Sequence, residues 1–223
     1  MSFKVETHPD DSWANAAANV VRGFLPKSGS VVLTGGSAAE LVFPLLKEPD
    51  VQWRFISLYF SDERAVRPDD PRSNFGLVDR TLLGHIRPQA IHRIRGEENP
   101  DDAAVSYDHV LAPVVGTGFD VVVLGMGADA HIAALFPGSP ALEATDSLCL
   151  PVERPDGMIG ITMTPPALIS ARHILLLVSG SSKAEAVRRA VASDENSSTC
   201  PVRVLAGHPD VRMVLDEGAA SGL

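Results

Sequence analysis

His131 stands two residues after Asp129 in the stretch "VVVLGMGADAHIAALFPG", Val121–Gly138. An imidazole titrates near neutral pH and can take a proton from water, and a nearby carboxylate can fix its tautomer. A lone histidine is more often structural. One placed at the carboxyl end of an apolar strand, with an aspartate beside it, points to general-base chemistry. "GMGADA" also fits the G-x-G-x-x-G/A pattern of a dinucleotide-binding turn. That reading needs a full crossover helix after the glycines, of ~10 residues or more. Here the apolar run ends at Pro137-Gly138, six residues beyond His131. Glu143 and Asp146, near the expected ribose position, follow "PGSP" rather than a second strand. The glycines, Gly127 among them, therefore read as a loop that presents His131 and opens a short helix.

Three other strand ends carry chemistry. "TGGSAAE" follows Val31–Leu33. Gly35 and Gly36 let the backbone approach a ligand, and Ser37 with the following helix start suits a phosphate. No G-K-[ST] follows, and a plain turn capped by Ser37 is an equal reading. "SDERAV" follows Phe55–Phe60 and sets Asp62, Glu63 and Arg64 where a buried strand meets solvent. Three adjacent charges suit a solvated loop, but the position favours function for Asp62 and Arg64. "RSNFG" then adds Asn74, with Ser73 as a helix cap. "SGSSKAEAVRRAV" follows His173–Val178 and puts Lys183 in the first turn of a helix, where a cation is unfavourable unless an anion shares the site. Together these ends suggest a small phosphorylated substrate and proton-transfer or hydrolytic chemistry. The G-x-S-x-G elbow is absent from the sequence.

Positioning these residues requires alternating strands and helices. Helical spacing runs over Asp11–Leu25, Ser37–Leu46, Ser73 to about Leu83, Asn99-Pro100 to about Val115, and Ser181–Val191, with a short helix opening at Thr164-Pro165. Strands are expected at Val31–Leu33, Phe55–Phe60, Phe119–Leu124 and His173–Val178, and the tail "VRMVLDEGAASGL" reads as a last strand with a frayed end. This order predicts an α/β fold, a mostly parallel sheet covered on both faces, with ligands outside the carboxyl ends of the strands. The 223 residues suit a single domain spanning 1–223. A net charge of −9 argues against nucleic acid or an anionic membrane as partner. The two cysteines, Cys149 and Cys200, form no C-x-x-C pair, so no metal site is indicated and a reducing cytoplasm is the simplest compartment. The start "MSFKVETHPDD" has no apolar core for a secretory signal, and no apolar run approaches the ~20 residues of a membrane span.

"LTGGSAAEL", "SDERAV…SNFGL", "VLGMGADAHIAALFPGS", "ITMTPPALISARHILLLVSGSSKAEAV" and "PVRVL…VLDEGAA" occur in the order seen in the 6-phosphogluconolactonases, and the resemblance covers nearly the whole chain. It implies a three-layer fold shared with glucosamine-6-phosphate deaminase and ribose-5-phosphate isomerase. It also implies cofactor-free hydrolysis of 6-phospho-D-glucono-1,5-lactone in the pentose phosphate pathway, by a monomer or weak homo-oligomer. By the resemblance, His131 activates water and Asp129 accompanies it. Asp62 and Arg64 are the acidic and basic members of a D-E-R motif. Gly35, Gly36, Ser37, Asn74, Gly127 and Lys183 fall at substrate- or phosphate-binding positions. The chain departs from the family pattern D-G-H-T-A-S at "DAHIAA", where Ala130 replaces a glycine, and Gly160 stands where an arginine usually precedes I-T-L-T. Arg67 or Arg72 is the expected substitute for that charge. The competing expectations are a catalytically weakened sugar-phosphate-binding homologue and a glucosamine-6-phosphate deaminase. The deaminase loop carries a glutamate where this chain has Phe136.

Overall fold

The computed structural model of the chain describes residues 3–48, 50–192 and 194–223. In chain order its elements are β1 (Lys4–His8), α1 (Trp13–Phe24), β2 (Gly29–Leu33), α2 (Gly36–Val42), β3 (Ile56–Phe60), β4 (Asp62–Arg64), α3 (Asn74–Thr81), β5 (Ala90–His92), α4 (Pro100–Val115), β6 (Val121–Gly125), β7 (Cys149–Glu153), β8 (Ile159–Met163), α5 (Pro165–Ile169), β9 (His173–Val178), α6 (Ala184–Val191), β10 (Val211–Asp216) and α7 (Glu217–Ala220).

Side-chain alternation along the strands sorts the core into two layers. Val31, Leu33, Val121, Val123, Leu175 and Leu177 pack with α1, α2 and α3 on one face. Val32, Val122, Leu124, Ile174, Leu176 and Val178 pack with α4, α5 and α6 on the other. Between these layers lies a seven-stranded sheet in the order β1-β10-β9-β6-β2-β3-β5, and every neighbouring pair in it is parallel. The expected doubly covered α/β sheet is the observed one. After β2 the chain moves to β3 on one side, whereas β6, β2's other neighbour, leads on to β9. The carboxyl ends of β2 and β6 thus border the crevice where such sheets bind ligands.

The helix over Pro100–Val115 starts as its sequence requires: the Asn99 side chain accepts from the amides of Asp101 and Asp102, and Pro100 occupies the first turn. Other boundaries shift. α2 stops at Val42, and Phe43–Leu46 continues as a tighter 3-10 turn containing Pro44. Ser181–Lys183 is also 3-10, so α6 begins at Ala184. The tail ends in a short helix, α7, because the Asp216 carboxylate accepts from the Ala219 amide.

Two expectations are corrected. Asp62–Arg64 is a buried strand rather than a solvated loop; Asp62 is 4% and Glu63 2% exposed. It belongs to a second, antiparallel sheet, β4-β8-β7. Pro151, Gly160 and the charges of β4 hid all three short strands. No helix follows His131: Ile132 and Leu135 form an isolated bridge instead. Ala130 (φ +66°) and Ala133 (φ +49°) both take left-handed backbone that an α-helix excludes.

α4 is tied to the end of β3 by one hydroxyl. The Phe60 amide donates to Tyr107 Oη at 2.8 Å, and that hydroxyl lies 3.0 Å from the Phe60 carbonyl. Tyr107→Phe leaves a buried amide unpaired and should lower unfolding stability by about 1–3 kcal/mol, read from urea denaturation.

Candidate active site

The carboxyl ends of β2, β6 and β9 and one face of β4 border an open cleft. Of the residues expected at the site, Gly35, Gly36, Ser37, Asp62, Arg64, Asn74, Gly127, His131 and Lys183 line it, and Asp129 lies behind the lining, in contact with His131.

The turn after β6 is built to fold an aspartate back onto a histidine. The Gly127 amide donates to the His131 carbonyl at 2.9 Å, and the Ala130 amide donates to the Gly127 carbonyl at 3.1 Å. Ala130 reverses the chain at φ +66°, so Asp129 Oδ1 reaches His131 Nδ1 at 2.5 Å and also accepts from the His131 amide at 3.2 Å. Burial works against the ionised Asp129 carboxyl, but the hydrogen bond and charge of His131 outweigh it and hold the carboxyl below its ordinary range. An ionised carboxylate can only accept, so it pairs with a proton on Nδ1, and in the neutral ring the lone pair falls on Nε2. Gly127 makes this possible. A Cβ there would lie 2.0 Å from His131 Nδ1 and 2.5 Å from Asp129 Oδ1. The loop is anchored further by the Ala134 amide on Thr162 Oγ1 at 3.1 Å and the Val202 amide on the Ala130 carbonyl at 3.0 Å.

Strand alternation separates the D-E-R residues. Asp62 pairs with Thr162, and Arg64 with Gly160, across β4 and β8. Asp62 and Arg64 therefore share the cleft face, and Glu63 faces the other way. Glu63 accepts from the amides of Arg64, Asn74 and Phe75 at 2.8, 2.7 and 2.8 Å and from Ser73 Oγ at 2.9 Å. Burial pushes its carboxyl up from the ordinary range, and these four donors pull the other way. Ser73 Oγ also accepts from the Gly76 amide at 3.0 Å. The first three amides of α3 are thus satisfied by Glu63 and Ser73, which bears out Ser73 as cap and gives Glu63 a structural role.

Asn74 is 1% exposed. Its amide nitrogen donates to the Asp62 carbonyl at 2.9 Å and to Asp62 Oδ2 at 2.8 Å, while Ser61 Oγ donates to Asp62 Oδ1 at 2.8 Å. Gly35 closes over this group. A Cβ at Gly35 would sit 1.8 Å from Asn74 Oδ1.

On the β2 side, Gly35 is the cap residue of α2, and Ser37 lies inside the helix. Ser37 therefore does not act as the cap expected of it. It is exposed at the cleft. On the β9 side, Asp216 Oδ2 accepts from Ser179 Oγ at 2.6 Å and the Gly180 amide at 2.7 Å, shaping the turn that carries Lys183.

Arg67 and Arg72 do not replace the arginine missing at Gly160. Arg67 pairs with Asp69 and Arg72 with Asp70, and neither lines the cleft. Arg154 does line it. Sequence reading missed this residue because "VERPDG" reads as an exposed turn; the only hint was the unoccupied position at Gly160.

Two stability measurements probe this architecture. Glu63→Ala strands buried amides at the start of α3 and should cost roughly 3 kcal/mol or more. Ala130→Gly relieves a left-handed alanine worth about 1–2 kcal/mol but removes a fully buried methyl worth about 0.8 kcal/mol. Its net effect in denaturant titration should be within about 1 kcal/mol of zero.

A protein-family model described as glucosamine-6-phosphate isomerases/6-phosphogluconolactonase matches residues 11–214. The chain is 32% identical over 210 residues to a 6-phosphogluconolactonase of Aggregatibacter actinomycetemcomitans, covering 90% of each chain. It is 34% identical to one of Mycobacterium bovis, covering 100% of this chain and 99% of that one. The crystal structure of a 6-phosphogluconolactonase from Shewanella baltica superposes with a TM-score of 0.83 at 26% identity, over 96% of this chain and 97% of that one. The cleft at the carboxyl ends of β2, β6 and β9 thus sits in a fold and a sequence with one ancestry, and the chain belongs to the glucosamine-6-phosphate isomerase/6-phosphogluconolactonase family.

Proposed function

We propose that this protein hydrolyses 6-phospho-D-glucono-1,5-lactone to 6-phospho-D-gluconate, as a pentose phosphate pathway enzyme of the cytoplasm. The observation that carries the reading is the Asp129–His131 pair, 2.5 Å apart, on a cleft that also holds Arg64 and Lys183. The relatives named 6-phosphogluconolactonase support the same substrate.

In this reading His131 Nε2 takes a proton from water as the water oxygen attacks the lactone carbonyl carbon. The resulting imidazolium is stabilised by Asp129. The carbonyl oxygen becomes an oxyanion, steadied by Arg64 or by loop amides. Arg64 Nε is buried with no partner among the described residues. The tetrahedral intermediate then collapses. The bond from carbonyl carbon to ring oxygen breaks, and the ring oxygen takes the proton from His131. The new carboxylic acid ionises, so each turnover releases one proton to solvent. Lys183 and the Gly35–Gly36–Ser37 loop hold the phosphate, and its binding energy orients the ring. Asp62 acts through Asn74, keeping the β4–α3 side of the cleft in place.

Acid release from fresh lactone, followed with a pH indicator, tests the reading. Wild type should exceed spontaneous hydrolysis, and His131→Ala should lose about 10²–10⁴ in kcat. Gly127→Ala should lose a similar factor while remaining folded by circular dichroism, because its methyl displaces the imidazole. Binding of 6-phosphogluconate without acceleration would leave a sugar-phosphate-binding protein instead. Ammonia release from glucosamine 6-phosphate would make it a deaminase.

A further inference from the structure

We propose that Arg154 is a specificity-determining residue that grips the phosphoryl group of the substrate, using the space that Gly160 leaves bare. The proposal deepens the lactonase reading and rests on it for the identity of the anion.

Arg154 follows β7, and its amide donates to the Met158 carbonyl at 2.9 Å, extending the β7–β8 ladder by one pair. Val152 pairs with Gly160, so alternation puts Val152 and Arg154 on the same face of the small sheet as Gly160, Arg64 and Asp62. A Cβ at Gly160 would lie 3.3 Å from both Cγ and Cδ of Arg154 and 3.2 Å from Ala134 Cβ. The glycine is the floor on which the arginine stem lies. A side chain at position 160 would share that space and press on the Arg154 stem.

The Arg154 side chain is only 12% exposed, yet its sole ion-pair partner among the described residues is Asp156, itself 45% exposed. That contact uses Nε and Nη2 against a single oxygen, at 3.3 and 3.2 Å. Nη1 has no partner among the described residues. The Arg154 stem is buried while the guanidinium lines the cleft, where Nη1 can take an acceptor from a ligand. Its Cζ lies 5.3 Å from the centre of the Phe136 ring, and that ring lies 4.6 Å from the His131 ring. Arg154 therefore stands one aromatic ring away from the base. With Arg64 and Lys183 it makes three cations on the cleft of a chain whose net charge is −9. A dianionic phosphoryl group fits this field, and planar guanidinium forks match phosphate oxygens.

The test combines calorimetric binding of 6-phosphogluconate, which needs no turnover, with lactone kinetics. Arg154→Ala should weaken 6-phosphogluconate binding and raise KM for the phosphorylated lactone by about tenfold or more. Its kcat on the phosphorylated lactone should fall as well, because phosphate binding orients the ring, whereas any hydrolysis of unphosphorylated glucono-1,5-lactone should fall far less. Arg154→Ala with Gly160→Arg should recover most of the lost affinity, since the second arginine enters the vacated space. Arg154→Lys, which keeps the stem, replaces the alanine variant if that one fails to fold, and should show a smaller loss in the same direction. Unchanged 6-phosphogluconate binding in the single variants would overturn the assignment, as would equal losses on both lactones. A wild type that binds 6-phosphogluconate but does not accelerate hydrolysis would sink the lactonase reading alone, and the binding comparison would still decide the role of Arg154.

Discussion

Behind the cleft, out of reach of solvent, the Glu63 carboxylate gathers three backbone amides and a serine hydroxyl. Little else could occupy that place. A helix start with unpaired amides cannot be buried cheaply, and neither can a carboxylate without donors. Each solves the other's problem, and the result locks β4 against α3. Asp62 and Arg64 are then aimed at the cleft by strand alternation alone. Asn74, the first residue of α3, is delivered to Asp62 by the same contact. The β4–α3 side of the cleft therefore depends on a residue that faces away from it.

The other wall depends on a tight turn. Gly127 supplies room and Ala130 supplies the reversal, so Asp129 and His131 meet although only one residue separates them. Alanine in left-handed backbone is strained, but its methyl is fully buried and its carbonyl is bonded to Val202. The surroundings hold the reversal that a glycine would adopt freely. Replacing the family's glycine has not pulled the histidine away from its aspartate.

What could be read from the sequence follows from periodicity. The long helices and the central strands of the main sheet carry continuous apolar patterns, whereas the edge strands β1 and β5 do not and went unread. The strand ends pointed to residues that line the cleft because parallel sheets expose ligands there. The small antiparallel sheet was illegible. Its strands are short, one is made of three charged residues, and the others contain Pro151 and Gly160. β4 joins it by pairing with β8, roughly a hundred residues away, which no local window reveals. For the same reason Glu63 could not be told from Asp62. Arg154 was missed because "VERPDG" reads as an exposed turn, although it is the tip of the β7–β8 hairpin. The turn after His131 misled because an apolar run of that length fits a helix as well as a buried loop.

The fit of Gly35 over Asn74 carries a consequence for how this molecule can change. With Asn74 Oδ1 where a Cβ would go, position 35 tolerates no side chain while position 74 keeps its amide. Cutting residue 74 back would free the space but strip Asp62 of two contacts. The two positions, far apart in the chain, are a single heritable unit. A lineage or a mutant library can cross from this pairing to another only by altering both together, so the route between them passes through variants that fold poorly or lose the cleft.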